Sequence, residues 1–132
     1  MQIVVDTSAI IAVLTSEPER ALLVETTRGA ELVAPSSVHW EIGNALGAML
    51  EQGRIKLPQA RRALEAYREI PIRMVDVDLE AALEQAFLHK IYAYDAYLLV
   101  CALRQRCPLL SLDRGLLRAA VAAGIQIIEV KK

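Results

Sequence analysis

A chain of 132 residues, 55% hydrophobic and 5% aromatic, is sized for one domain with a core of Val, Ile, Leu and Ala that needs no disulfide staples. A net charge of −1 and a pI near 6.1 exclude a global nucleic-acid footprint and leave room only for a local basic surface. No apolar run approaches a membrane span, no basic leader opens the chain, and Cys101 and Cys107 lack the spacing of a zinc or CxxC site; a cytoplasmic protein with reduced thiols and no membrane contact is expected.

Residues 2–5, Gln-Ile-Val-Val, read as a first strand buried on both sides. A short helix from Thr7 to Leu14 follows, then a second over Pro18–Arg28, with Pro18 suited to a first turn and Gly29 to a C-terminal cap. The second strand is expected at Glu31–Ala34. Pro35-Ser36-Ser37 then opens a long helix to Gln52, which Gly53 ends. Pro58 starts the next helix, to Glu69, and Pro71 separates it from a third strand at Ile72–Val77. Residues 78–106 contain no Gly or Pro, so one long helix or two are both open. Two are favoured, with a turn near His89-Lys90-Ile91, because a domain this small rarely holds so long an unbroken helix. Pro108 precedes a fourth strand at Leu109–Ser111, a helix over Asp113–Ala123 stops at Gly124, and Gln126–Val130 forms the last strand. Strands alternating with helices, without linker or repeat, predict one α/β domain over residues 1–132 with a parallel sheet covered by helices.

Three aspartates in this scheme share one local pattern. Asp6 is followed at helical spacing by Ala9, Ile10, Val13 and Leu14, Asp95 by Leu98, Leu99, Ala102 and Leu103, and Asp113 by Leu116, Leu117, Ala120 and Val121. Each therefore heads an apolar stripe and points inward. Capping explains any one of them, because Asp is a favoured N-cap. Their combination asks for more: Asp6 and Asp113 follow strands, at the edge of a parallel sheet where ligands collect. Glu41 and Asp95 fall near the first turns of other helices, where the dipole favours anions. Two carboxylates 4 Å apart repel by about 4 kcal/mol at an effective dielectric near 20. A cation would relieve them, and oxygen donors without a soft ligand suit Mg²⁺ or Mn²⁺. The matching chemistry is in-line hydrolysis of a phosphodiester.

The segments Ile3-Val4-Val5-Asp6-Thr7-Ser8, Pro35-Ser36-Ser37-Val38-His39-Trp40-Glu41 with Asn44-Ala45-Leu46, Tyr94-Asp95-Ala96 and Leu110-Ser111-Leu112-Asp113 occur in that order over nearly the whole chain. In this the sequence resembles the PIN-domain ribonucleases, and most of all the VapC toxins of toxin–antitoxin pairs. The resemblance implies a PIN-like five-stranded parallel sheet in the order 3-2-1-4-5 and a divalent-metal endoribonuclease that leaves 5′-phosphate and 3′-hydroxyl ends. It also implies an RNA substrate, a cognate antitoxin and a homodimer. Carried over by position, Asp6, Asp95 and Asp113 would hold metal directly, Glu41 the metal or its water, and Ser8 and Ser111 would orient carboxylates or water. Ser111 stands where many relatives carry Thr, and Asn44 is a further polar candidate. Glu41 rests mainly on this resemblance, since its own helix face of Asn44, Ala45, Ala48 and Met49 is only weakly apolar.

Other features have structural readings beside functional ones. Trp40 and Tyr94, each beside an acid, could stack on a base or pack against the sheet. Arg54, Lys56, Arg61, Arg62 and Arg68 could contact phosphate or form a solvated face with Glu65 and Glu69. His39 and His89 fit no metal spacing, and Asp76 and Asp78 read as turn and cap residues. A haloacid-dehalogenase-type phosphatase would need an Asp where Ser8 stands, and a receiver domain would need an acidic pair after the first strand. The remaining alternatives are a PIN-fold RNA-processing nuclease outside a toxin–antitoxin pair and a non-catalytic interaction module that docks through apolar helix surfaces.

Overall fold

The computed structural model describes residues 1–130; Lys131 and Lys132, the end of the expected domain, lie outside the described residues. Five strands, β1 (Gln2–Val5), β2 (Glu31–Pro35), β3 (Ile72–Val75), β4 (Leu109–Leu110) and β5 (Ile127–Ile128), form one parallel sheet in the order β3-β2-β1-β4-β5. The helices are α1 (Thr7–Leu14), α2 (Arg20–Thr27), α3 (Ser37–Glu51), α4 (Leu57–Glu69), α5 (Leu79–His89), α6 (Ala93–Gln105) and α7 (Arg114–Ala122). This is the expected α/β architecture and strand order.

β1 is central because its sequence is apolar on both faces: Ile3, Val4 and Val5 are all but inaccessible. It pairs Ile3 with Leu32 of β2 and Val5 with Leu110 of β4. That register brings the carboxyl ends of β1 and β4 level, so the residues leaving each strand meet at one edge. α6 packs against β1 and β2 and also against α5. Two contact surfaces explain why Ala96, Leu98, Leu99, Val100, Cys101 and Ala102 are all buried, while Leu103, the last member of the stripe behind Asp95, is exposed. Each buried leucine there contributes about 1.5–3 kcal/mol of transfer free energy.

Residues 78–106 form two helices, bent by 112° at the break. Lys90 ends α5 in the left-handed conformation at φ 54°, and the Ile91 N–H donates back to the Ala86 carbonyl at 3.2 Å. Arg106 ends α6 at φ 53° in the same way, with the Cys107 N–H on the Ala102 carbonyl at 3.3 Å. Both stops use the hydrogen-bond pattern that glycine usually completes, here on cationic residues that also suit a helix C-terminus. No single described helix is long and apolar enough to cross a membrane.

Several elements are shorter than their sequence patterns. α2 starts at Arg20 because Ser16, at φ 55°, turns the chain and Glu17–Glu19 complete the turn. β3 stops at Val75, two residues early, because its partner β2 ends at Pro35 and the Ser36 N–H takes the Val75 carbonyl as the chain swings into α3. β4 stops before Ser111, whose hydroxyl is committed to the site described below. β5 keeps only the two residues that face Leu109 and Leu110.

A left-handed L-residue costs about 1–2 kcal/mol that glycine largely avoids, less the extra chain entropy glycine loses on folding. Lys90→Gly is therefore expected to raise the urea midpoint slightly, by about 0.5–1 kcal/mol of stability. An unbroken helix through residue 90 would instead make that substitution destabilising.

Candidate active site

Asp6 is the first residue beyond β1 and the N-cap of α1. Its backbone N–H donates to the Leu110 carbonyl at 3.3 Å, and its Oδ1 accepts the Ala9 N–H at 3.0 Å. Although it is only 4% exposed, four donor contacts reach its carboxylate. The Ser8 hydroxyl lies 2.8 and 2.9 Å from the two oxygens, and the Ser111 hydroxyl donates to Oδ2 at 2.5 Å. Each serine is itself held: Ser8 Oγ accepts the Leu112 N–H at 3.0 Å and Ser111 Oγ accepts the Asp113 N–H at 2.9 Å. Burial pushes the Asp6 carboxyl above its ordinary pKa; the Ser111, Ala9 and Ser8 hydrogen bonds pull it back, and the charge of Asp113 raises it further.

Asp113 caps α7, its Oδ1 accepting the Gly115 and Leu116 N–H groups at 2.9 and 3.2 Å. Both Asp6 and Asp113 are thus true N-caps. That role occupies chiefly one oxygen in each and does not compete with a second role for the carboxylate.

Asp95, in the first turn of α6, is half-buried, and its carboxyl is raised by burial and then by Asp113. Glu41 lies one turn into α3, also half-buried. Burial, then Asp95, then Asp6 push its carboxyl to about 7. Its Oε1 is inaccessible and has no hydrogen-bond partner.

The charges form one circuit: Asp6 responds to Asp113, Asp95 to Asp113, and Glu41 to both Asp95 and Asp6. The fold therefore gathers all four acids at the carboxyl edge of β1 and β4, together with Ser8 and Ser111. Asn44 is not joined to them: it is exposed on α3 and makes no hydrogen bond to the acids. Among the described residues, no three His, Cys, Asp or Glu side chains close into an ion-holding cage. The acids form an open rim. The donor set nevertheless fits a hard divalent cation, being all oxygen, mutually repelling, and containing a buried Glu41 oxygen with no donor to satisfy it.

The sequence patterns did not mark Thr7, whose Oγ1 is buried without a partner between the two site residues Asp6 and Ser8. Its only signal was its place in the Asp-Thr-Ser triplet. Trp40 and Tyr94 are 76% and 56% exposed, so neither packs against the sheet. His39 is structural, with Nδ1 3.0 Å from the Tyr67 hydroxyl. Asp78 caps α5 through the Ala81 N–H and pairs with Arg104 at 3.7 Å.

A PIN-domain family model matches residues 3–122. The chain belongs to the PIN-domain family. PIN domains are typically nucleases and generally use divalent metals. No curated protein sequence matches the chain. Among solved structures, this PIN domain is similar to a protein from Pyrobaculum aerophilum, at 22% identity and TM-score 0.72 over 96% of this chain and 92% of that one. It is also similar to VapBC2 from Rickettsia felis bound to a DNA fragment from its promoter, at 12% identity and TM-score 0.69 over 99% and 100%. A third likeness is to VapC20 of Mycobacterium tuberculosis, a Sarcin-Ricin loop cleaving toxin, at 16% identity and TM-score 0.66 over 98% and 99%.

The acid rim makes the metal-free PIN domain pH-sensitive. A carboxyl whose pKa rises on folding stabilises the fold below its unfolded value and loses that contribution as pH climbs through the folded value. For Glu41 the ordinary value is 4.5 and the folded value about 7, so thermal stability in chelator should fall between those limits. Glu41→Gln should flatten that part of the profile, as read by melting temperature against pH; an unchanged slope would contradict the burial and charge coupling of Glu41.

Proposed function

We propose that this PIN domain is a divalent-metal-dependent endoribonuclease and the toxin of a toxin–antitoxin pair. The observation that carries the reading is the circuit of four coupled acids built on Asp6, which two serine hydroxyls hold at the end of the central strand.

In this reading Asp6, Asp95 and Asp113 hold Mg²⁺ or Mn²⁺, and Glu41 holds the ion or its water. The ion, when bound, supplies Lewis acidity and activates water for in-line attack on phosphorus. Ser8 and Ser111 act through Asp6. With three donors turned on it from Ser8, Ser111 and Ala9, that carboxylate has one orientation, so the acceptor capacity it keeps, about one of some four lone-pair sites, faces a fixed point at no cost in reorganisation. Glu41, whose carboxyl burial and the charges of Asp95 and Asp6 raise when no ion is bound, would be held ionised by a cation beside it and so be free to hold that ion or its water. Cleavage leaves a 5′-phosphate and a 3′-hydroxyl. Trp40 and Tyr94, exposed next to Glu41 and Asp95, are placed to stack on unpaired bases at about 1–3 kcal/mol each.

The likeness to VapBC2 and VapC20 supports the toxin assignment and a cognate antitoxin. Leu79, Leu83 and Phe87, spaced by four residues on α5, are 59%, 57% and 83% exposed. Such a stripe is costly to leave in water, and it supports a protein partner, whether the antitoxin or a second copy of the chain in a homodimer.

Purified protein is expected to cut a structured RNA in Mg²⁺ or Mn²⁺ and to stop on addition of chelator. The Asp6→Asn, Asp95→Asn double variant should lose at least about a hundredfold of the rate, since it withdraws two anionic donors from a site worth several kcal/mol of charge stabilisation. Full activity in that variant would sink the proposal. Ectopic expression should arrest growth and the double variant should not; normal growth with an active enzyme would assign the domain to RNA processing instead.

A further inference from the structure

A groove of about 1000 Å³ lies between α7 and β5; none of the four acids lines it, but it reaches Ser111 and Leu112, the two residues that precede Asp113. Ser111, itself buried, and Leu112 border it, and Arg114 and Arg118 line the α7 side. The two arginines are four residues apart, one above the other on one helix face, separated by a rise of about 6 Å. Neither forms an ion pair among the described residues. Arg118 bends back over the first turn of α7: its Nη2 lies 3.8 Å from where a Cβ of Gly115 would stand, and Asp113 Oδ1 lies 3.3 Å from that same point. The guanidinium therefore shares a corner with an acid of the site without pairing with it. A side chain larger than glycine at 115 would crowd that corner.

We propose that Arg114 and Arg118 bind successive phosphates of the RNA strand as it leaves the acid rim along this groove. The inference rests on the nuclease reading above and deepens it. Guanidinium is the side chain best matched to phosphate oxygens, and an acidic site on a chain of net charge −1 repels the substrate it must hold unless cations stand beside it. Glu19 and Glu129 line the groove as well. Among the described residues lining the groove, the two arginines are the cations. The basic residues of α4, the alternative from the sequence, line neither this groove nor the apolar pocket under α2.

The test measures binding of a short fluorescently labelled single-stranded RNA by anisotropy across a salt series, in an Asp6→Asn background that does not need to cleave. Adding Arg114→Gln and Arg118→Gln should weaken binding about ten- to a hundredfold. It should also lower the slope of log K against log salt by about 1.4, at roughly 0.7 per phosphate contact on a single strand. An Arg114→Lys, Arg118→Lys variant should recover the slope, and melting temperatures identify any variant whose fold is impaired. Unchanged affinity and slope in a folded Gln variant would overturn the phosphate track while leaving the nuclease proposal standing. Absence of RNA binding by the Asp6→Asn parent and by the wild-type protein alike would overturn both. The Arg61→Gln, Arg62→Gln pair on α4 should leave the slope where it was; a loss there in place of α7 would put the strand on the other surface and overturn the inference.

Discussion

The hydrogen bonds around Asp6 join two strands that the chain separates by more than a hundred residues, and the arrangement of the site follows from them. β1 and β4 pair in register, but only two residues of each meet, Val4 with Leu109 and Val5 with Leu110. Beyond them the ladder is continued by side chains. Ser111 reaches Asp6, Ser8 accepts from the backbone of Leu112, and Ser111 accepts from the backbone of Asp113. Removing either hydroxyl would leave a buried carboxylate oxygen or a backbone N–H short of a partner, a defect worth about 1–3 kcal/mol. The same bonds that close the sheet edge also fix where Asp6 and Asp113 stand. Stability and site geometry are therefore the same contacts on this edge.

The acids pull the other way. Each of Asp6, Glu41 and Asp95 is raised above its ordinary pKa, with burial the largest cause and a neighbouring carboxylate a further one. A fold selected for stability alone would have replaced Glu41, whose buried Oε1 meets no donor, with an amide or an apolar residue. The tension is what a cation site requires, because the ion's binding energy includes the repulsion it relieves.

Fold and site were legible in the sequence to different depths. The parallel sheet and the helices could be read because β1 is apolar on both faces and because Gly29, Gly53 and Gly124 mark helix ends with a left-handed turn, whereas the strand order came from the family resemblance. The break at Lys90 could be placed only by length, since a lysine in the glycine role leaves no compositional mark. Strand ends were overestimated wherever the neighbour ran out first, as β3 did at Pro35; a parallel strand is defined by its partner, and one segment's pattern does not carry that information. Asp6 and Asp95 showed in the periodicity because each heads an apolar face and is turned inward; Asp113 heads the same kind of stripe but, contrary to the expectation of an inward acid, is exposed, since capping the first turn of α7 keeps its side chain at the surface. Glu41 showed there least, its helix burying Val38, Ile42, Leu46 and Met49 one position round from the acid. Asn44, carried over with the segment that follows Glu41 in the family pattern, is exposed and makes no hydrogen bond to the acids.

Charge placement explains how so acidic a site belongs to a chain with little net charge. Of the cations, Arg28 pairs with Glu25, Arg73 with Glu31 and Arg104 with Asp78, all exposed pairs of the kind that contribute at most about 1 kcal/mol. Those pairs neutralise the outer surface locally and leave the field at the rim unchanged. Arg114 and Arg118, like most of the other cations, have no described ion-pair partner; what sets them apart is that they line the groove beside Ser111 and Leu112. An anionic strand approaching this surface meets an attractive stretch on α7 followed by a repulsive one at the acids. A divalent ion at the rim would turn that second stretch attractive.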